Sequence, residues 1–468
     1  MKRIQPVLDS LRGSETGKAA GLAGAMIANN VIALVASVAF GRMFSNYGAL
    51  AALISYLLIL TVAGQALQVA TAREGVLGQL GVGEDLLHTL ERWARSLAIF
   101  TLLATLERWA KALAVFTIAA TVVSVLLRQP IADLVGVPRY GWAAAAGVPA
   151  GCLYLEVSIL RGALQGIGDY RTVGLSLIGE QAFRLLGGVT LAVVGLGISG
   201  AYLGSLISYI AMSAYCATRL YGQLAGPSHN RWSTGSTARA AFGLWRHVWM
   251  AIVPIGALGV IQLLQNLDLI TAKHQFDTRY ATSYAVAAVA AKVLIWVAMG
   301  ASFYLVPETS RRRAAGEDTR GVLLRALGIV GVCAIPCLLI YAFAAHPLLS
   351  IVFGKEKAIA SDCLLPLGAA FTVLAATYLA VQYMLALKRV WFLAVLGLVA
   401  VAEPFLLLQA PKHPAPFATV VLGVQAVGAV LAYGTALRSP GSRPALGSSA
   451  GPAGPAELEE PYTPEPVA

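Results

Sequence analysis

Residues 156–184 read EVSILRGALQGIGDYRTVGLSLIGEQAFR. Two apolar segments meet in this stretch at a polar turn, Gln165–Arg171 (QGIGDYR), and the segments themselves carry Glu156, Arg161, Glu180 and Arg184. An ionisable group inside an apolar helix costs about 3 kcal/mol or more near a bilayer centre, so it faces protein, water or substrate rather than lipid. At ~1.5 Å per residue from Thr172, Glu180 lies ~12 Å and Arg184 ~18 Å along the helix. Against a hydrocarbon core of ~30 Å, Arg184 falls near the midplane. A cation at that depth points first to transport. The bland reading stands beside it: Glu180 and Arg184 are four residues apart, the spacing at which they neutralise one another on one helix.

The rest of the chain supports a membrane setting. Of its 468 residues 58% are hydrophobic and 12% charged, with a mean hydropathy of +0.72. A soluble domain carries about 25% charged residues. Long apolar runs recur almost throughout, which defines an all-α polytopic membrane protein. Twelve spans are expected, at about 19–41, 47–71, 112–128, 140–162, 172–196, 199–220, 247–271, 280–306, 321–345, 361–386, 389–409 and 415–437. They divide into two six-helix bundles, 18–221 and 244–437, around a central cavity. A polar linker, 222–243, joins them. Residues 1–17 form an amphipathic segment suited to an anionic membrane surface. Residues 438–468, rich in Pro and Gly, read as a disordered tail.

The net charge of +11 does not mark a nucleic-acid protein, because the basic residues are spread over short loops. With the N-terminus in the cytosol, 24 Lys/Arg fall on cytosolic segments and eight on outer ones. That bias sets the orientation, with both termini cytosolic in the cell membrane. One irregularity precedes the third span: Thr89–Thr101 (TLERWARSLAIFT) is nearly repeated as Thr105–Thr117 (TLERWAKALAVFT). The offset of 16 residues is too short for a solenoid repeat and reads as a local tandem duplication whose second copy feeds span three.

Several familiar signatures are excluded. Gly13–Ala19 (GSETGKA) is one residue short of a phosphate loop and lacks its Ser/Thr. Gly195–Gly200 (GLGISG) matches GxGxxG but joins two apolar helices, so it is a turn. The five cysteines form no disulfide or CxxC pattern, the six histidines have no metal-ligand spacing, and no nucleophilic triad is present. Neither metal nor cofactor nor catalysis is expected.

What remains is a set of polar residues inside spans from both halves. Asn29 and Asn30 lie in the first span. Gln262, Gln265 and Asn266 share a face of the seventh, which ends near Asp268. Lys292 stands in the eighth with no acidic residue within a turn, and Glu403 precedes Pro404 in the eleventh. Asp268 is placed close to the outer interface, where a carboxylate costs less.

Several of these residues carry a family likeness. Arg161–Tyr170 (RGALQGIGDY), Gly179-Glu180 through Arg184, and Gly197–Ala201 (GISGA) resemble the fourth-to-sixth-helix region of Wzx-type polysaccharide flippases. These belong to the multidrug/oligosaccharidyl-lipid/polysaccharide exporter superfamily. Asn266-Leu267-Asp268, Tyr284–Ala288 (YAVAA), Lys292 and Leu305–Pro307 (LVP) are similar to helices seven and eight of that family. The likeness runs over about residues 15–437, and the duplication and the tail depart from it. It implies rocking between inward-open and outward-open states, and a lipid-linked oligosaccharide on a polyprenyl diphosphate carrier, moved from the cytosolic to the outer leaflet. Membrane lipids, a coupling proton or sodium ion, and polysaccharide-assembly proteins are the implied partners.

The chemistry agrees. A diphosphate inside hydrocarbon needs compensating cations. Arg184 is suited to fork onto phosphate oxygens and Lys292 to act as a point charge. Arg161, near the cytosolic mouth, is the candidate for first contact, with Asn29, Asn30, Gln262, Gln265 and Asn266 for sugar hydroxyls. No nucleotide-binding motif is present, so a secondary transporter is expected, with Glu403, Asp268 or Glu180 as the ion-coupling group. Two alternatives stay open: a cation-coupled multidrug antiporter of the same superfamily, and a membrane-embedded polysaccharide polymerase. The second normally needs a large outer loop, and the longest here, about 346–360, is short.

Overall fold

The computed structural model describes residues 15–65, 68, 106–166, 168–224, 237–387 and 389–438. The N-terminal segment, the first copy of the duplication and the tail lie outside them. Helices follow one another as α1 (Glu15–Met43), α2 (Tyr47–Leu60), α3 (Leu106–Leu126), α4 (Arg128–Val135), α5 (Gly141–Gly166), α6 (Tyr170–Leu191) and α7 (Gly197–Leu224) in the first half. The second half holds α8 (Thr237–Gln275), α9 (Thr278–Ala314), α10 (Arg320–Phe343), α11 (Ala345–Phe353), α12 (Leu364–Ala386), α13 (Phe392–Leu408) and α14 (Pro414–Arg438). No strand occurs among the described residues. An all-helical answer is what hydrocarbon demands, since each backbone donor and acceptor must be satisfied within its own segment.

Eight apolar stretches are long enough to cross a membrane, α3 with α4 makes a ninth bent by 74°, and α2 and α13 are shorter apolar helices. One of the eight, Tyr170–Gly222, divides into α6 and α7 at Gly195, whose φ of 113° only glycine adopts freely. The GLGISG segment is thus a turn between helices. With that division, and with the bent pair and the two shorter helices counted, the described residues hold twelve apolar helical segments where crossings are expected. The second copy of the duplication does feed the third of them, as the start of α3. Of the expected linker 222–243, residues 225–236 lie outside the described ones, while α7 runs on to Leu224 and α8 begins at Thr237.

Within the first half, α6 packs against α1 and α7, and α5 against α2, α3 and α7. In the second, α12 packs against α9, α10 and α14, and α13 against α8 and α14. The halves meet where α2 lies against α8 and α9.

The decisive stretch folds as its sequence suggests. Gly168 takes φ 85° after α5, and Asp169 caps α6 by accepting from Thr172 N (3.0 Å) and Thr172 Oγ1 (2.6 Å). Farther along, α6 and α7 cross closely. A Cβ added at Gly204 would sit 2.5 Å from Gly188 N and 2.6 Å from Arg184 O. Small residues there let the two backbones touch, which is how helices associate in lipid. That crossing brings α7 alongside Arg184.

Candidate functional site

The first half holds one buried charge cluster. Arg161, fully buried, donates from Nη1 to Glu180 Oε2 (2.8 Å), from Nε to Ser176 Oγ (2.8 Å) and from Nη2 to Ser176 O (2.8 Å). On the other side of Glu180, Arg184 Nη2 stands 3.5 Å from Oε1 and donates to Tyr209 Oη at 2.8 Å. Its guanidinium carbon lies 5.7 Å from the Tyr209 ring centre. Arg184 Nε is buried without a hydrogen-bond partner among the described residues, and 14% of the side chain is exposed. Two guanidinium groups thus share one carboxylate, a net charge of +1, and the less satisfied one is the one that reaches accessible space. Arg161 does not stand at a mouth, as its position at the end of the fourth span suggested. It turns into the bundle, where all its polar reach is spent on α6. Both Glu180 oxygens face arginines, Oε2 to Arg161 and Oε1 to Arg184.

The second half holds the complementary cluster. Asp268 is fully buried. Its Oδ2 accepts from Tyr284 Oη at 3.1 Å, and its Oδ1 lies 3.8 Å from Lys292 Nζ. The expectation of an interfacial Asp268 is corrected here. The helix does not end at the residue but runs to Gln275, and Phe276, Tyr284 and Phe417 pack edge to face beyond it (centroids 5.1–5.8 Å apart). Lys292, without a partner in its own sequence neighbourhood, finds one on α8.

Lys292 also donates to Asn266 Oδ1 at 3.4 Å, and Asn266 Nδ2 donates to Gln262 Oε1 at 3.1 Å. The ammonium lies 5.4 Å from the Phe371 ring centre. The polar face expected of Gln262, Gln265 and Asn266 is therefore real, although it serves Lys292 before any ligand. Gln265 Oε1 is buried without a partner among the described residues. Glu403, fully buried on α13, accepts from Gln425 Nε2 (3.3 Å), which also donates to Leu264 O (2.9 Å) one turn before Asp268. Glu403 Oε2 has no partner among the described residues. Two carboxylates face one ammonium, a net charge of −1 if both are ionised.

Asn29 and Asn30 are half-buried on α1 and hydrogen-bond each other (3.2 Å) without joining either cluster. Sequence reasoning missed Ser176, Tyr209, Tyr284 and Gln425. Of these, Gln425 carried a signal, as a lone amide within the apolar run of α14.

The halves are also tied together at one end. Arg42, closing α1, donates from Nε to Val352 O (2.7 Å) and from Nη2 to Ile351 O at the end of α11. Lys357 answers in the opposite sense, donating to Gly41 O and to Arg42 O (3.3 Å) at the end of α1. Each half thus places a cation on the free carbonyls that end a helix of the other half, where the helix dipole favours positive charge. Burial lowers the Lys357 pKa from the usual lysine value, and neighbouring Glu356 pulls it back up. Thr282 Oγ1, donating to Ser45 O (3.2 Å), and Lys273 Nζ, donating to Asn46 Oδ1 (3.4 Å), lie at the same end.

No family model and no curated protein matches this chain. Solved structures do. The chain is similar to the inward-facing conformation of a multidrug resistance MATE family transporter of the MOP superfamily, with a TM-score of 0.63 at 11% identity, covering 87% of this chain and 93% of that one. It is similar to the lipid II flippase MurJ in an inward closed conformation, with a TM-score of 0.65 at 13% identity, covering 88% and 87%. A eukaryotic MATE transporter gives a TM-score of 0.59 at 14% identity, covering 91% and 96%. The chain therefore shares the fold of these MATE and MurJ structures. At these identities the likeness establishes a shared fold.

Proposed function

We propose that this protein is a secondary transporter that moves a polyprenyl-diphosphate-linked oligosaccharide from the cytosolic to the outer leaflet of the cell membrane by alternating access. The observation that carries this reading is the charge surplus at Arg184. The first half spends one guanidinium on Glu180 and leaves a second partly exposed and incompletely hydrogen-bonded. A planar fork with unfilled donors suits a diphosphate. Lys292 would add a second cation only by leaving Asp268, which ties substrate binding to the charge state of the second half. Glu403 and Asp268 are the coupling candidates, and Gln262, Gln265 and Asn266 are placed to meet sugar hydroxyls when Lys292 moves. Arg161 and Glu180 orient Arg184 rather than touch substrate. The basic bias of the loops supports cytosolic termini.

The test is leaflet-resolved quantification of the lipid-linked oligosaccharide after depletion of the protein. Build-up on the cytosolic leaflet, reversed by wild type and not by Arg184→Ala with Lys292→Ala, is expected. Undisturbed leaflet distribution would reject the reading.

A second reading, a cation-coupled multidrug antiporter, is favoured by one observation: Glu403 is a buried carboxylate with an unpartnered oxygen. It requires altered sensitivity to cationic drugs on depletion, without build-up of the lipid-linked sugar.

A further inference from the structure

Away from both charge clusters, α9 and α10 enclose an open groove of about 600 Å³ lined by Tyr304, Arg325, Gly328, Ile329, Val332 and Cys333. α10 is a rim helix. Val332 is 73% exposed and its neighbours Leu324, Ile335 and Leu339 are exposed too. Its opposite face is buried along the helix, through Val322, Ala326, Val330 and Ala334. Tyr341 Oη donates to Ala290 O on α9 (2.8 Å), and Thr319 pairs with Tyr383 on α12 (2.7 Å). A Cβ on Gly328 would meet nothing within 4 Å, so the groove floor is open rather than filled by a neighbour.

The chemistry of the groove is graded along its length. Its walls are apolar except at one end, where Arg325 stands exposed with no ion pair or hydrogen bond among the described residues. Nearby, Arg311 and Arg312 are differently employed, since both pair with Glu308 (2.7–2.9 Å). From Arg325 to Cys333 is eight residues, or ~12 Å of helix. One leaflet of hydrocarbon is ~15 Å deep. A cation at the interface, followed by an apolar trough that runs inward for most of a leaflet, matches a lipid with an anionic head and an extended chain.

We infer that this groove is a binding site for an anionic membrane phospholipid, seated in the leaflet at the Arg311–Arg325 end of α9 and α10. The phosphate lies on Arg325 and one acyl chain lies over Gly328, between Tyr304 and the Ile329–Cys333 face. The inference is independent of the transport reading and of which leaflet faces the cytosol.

Native mass spectrometry of the full chain in detergent, titrated with dioleoylphosphatidylglycerol or dioleoylphosphatidylcholine, tests it. The wild type should retain the anionic lipid about fivefold more strongly, the worth of one basic residue near a charged head group. Arg325→Gln should bring the two lipids level, while Arg313→Gln, at the same end but off the groove, keeps the preference. Gly328→Leu fills the floor with the charge intact and should also weaken binding, which keeps the test decisive if Arg325→Gln fails to fold. Equal retention of both lipids by the wild type would overturn the inference, as would wild-type retention in both groove variants. So would Arg325-dependent binding of polyprenyl phosphate without any binding of phosphatidylglycerol, because the groove would then belong to the carrier of a transported lipid.

Discussion

The two buried charge clusters are mirror images in composition and differ in which charge is left incompletely satisfied, the cation Arg184 in the first and the carboxylates in the second. In the first half, two arginines surround one carboxylate, and Arg161 is bonded through each of its nitrogens. In the second, two carboxylates face one lysine, and both Asp268 Oδ1 and Glu403 Oε2 lack hydrogen-bond partners among the described residues. A fully satisfied buried network fixes one arrangement, whereas a partly satisfied one is free to rearrange when a charge changes. On the proposed function, the first half presents the cation that meets a ligand, and the second carries the group that moves.

The largest effect that distinguishes the two clusters is structural. Arg161→Ala strands the buried Glu180 against a single weaker partner, and breaking such a buried pair costs ~3–5 kcal/mol. Melting of the purified protein should drop sharply; a melting temperature near wild type would mean the cluster is not the first half's fixed point. Glu403→Gln should do far less to stability, because it removes a buried charge without stranding its opposite. Melting should be unchanged or slightly raised, and any dependence of transport on a proton or sodium gradient should disappear. Gradient-dependent transport that survives this substitution would transfer the coupling role to Asp268.

The smallest effect concerns the tie between the halves. Arg42→Gln with Lys357→Gln removes both cross-capping cations, each worth a fraction of a kcal/mol to ~1 at a helix C-terminus. Spin labels at the C-terminal ends of α1 and α11 should then show a broader distance distribution with little change in melting. An unaltered distribution would make the caps incidental.

Much of this was legible in the sequence, for a physical reason. Hydrocarbon thickness and backbone satisfaction leave few options, so the succession of apolar helices and the turn at Gln165–Arg171 could be read directly. Glu180 and Arg184 were found together because helical spacing alone joins them. What could not be read was contact across helices. Lys292 looked unpartnered because Asp268 is on the preceding helix, and Asp268 looked interfacial because neither the last turns of α8 nor the aromatic cover from Phe276, Tyr284 and Phe417 was visible in its neighbourhood. Arg161 was misplaced at a mouth because depth along a helix does not say which way a side chain turns. The cross-capping of Arg42 and Lys357 joins residues 315 positions apart, and no local pattern announces it.

The most direct test of the cation claim is flipping in proteoliposomes, read as exposure of a polyprenyl-diphosphate-linked oligosaccharide to an impermeant lectin. Arg184→Ala, whose side chain leaves no stranded carboxylate because Arg161 still holds Glu180, should melt near wild type and lose most of its flipping activity. Arg184→Lys should recover part of it, since it restores the charge without the fork. Wild-type flipping by Arg184→Ala would contradict the account.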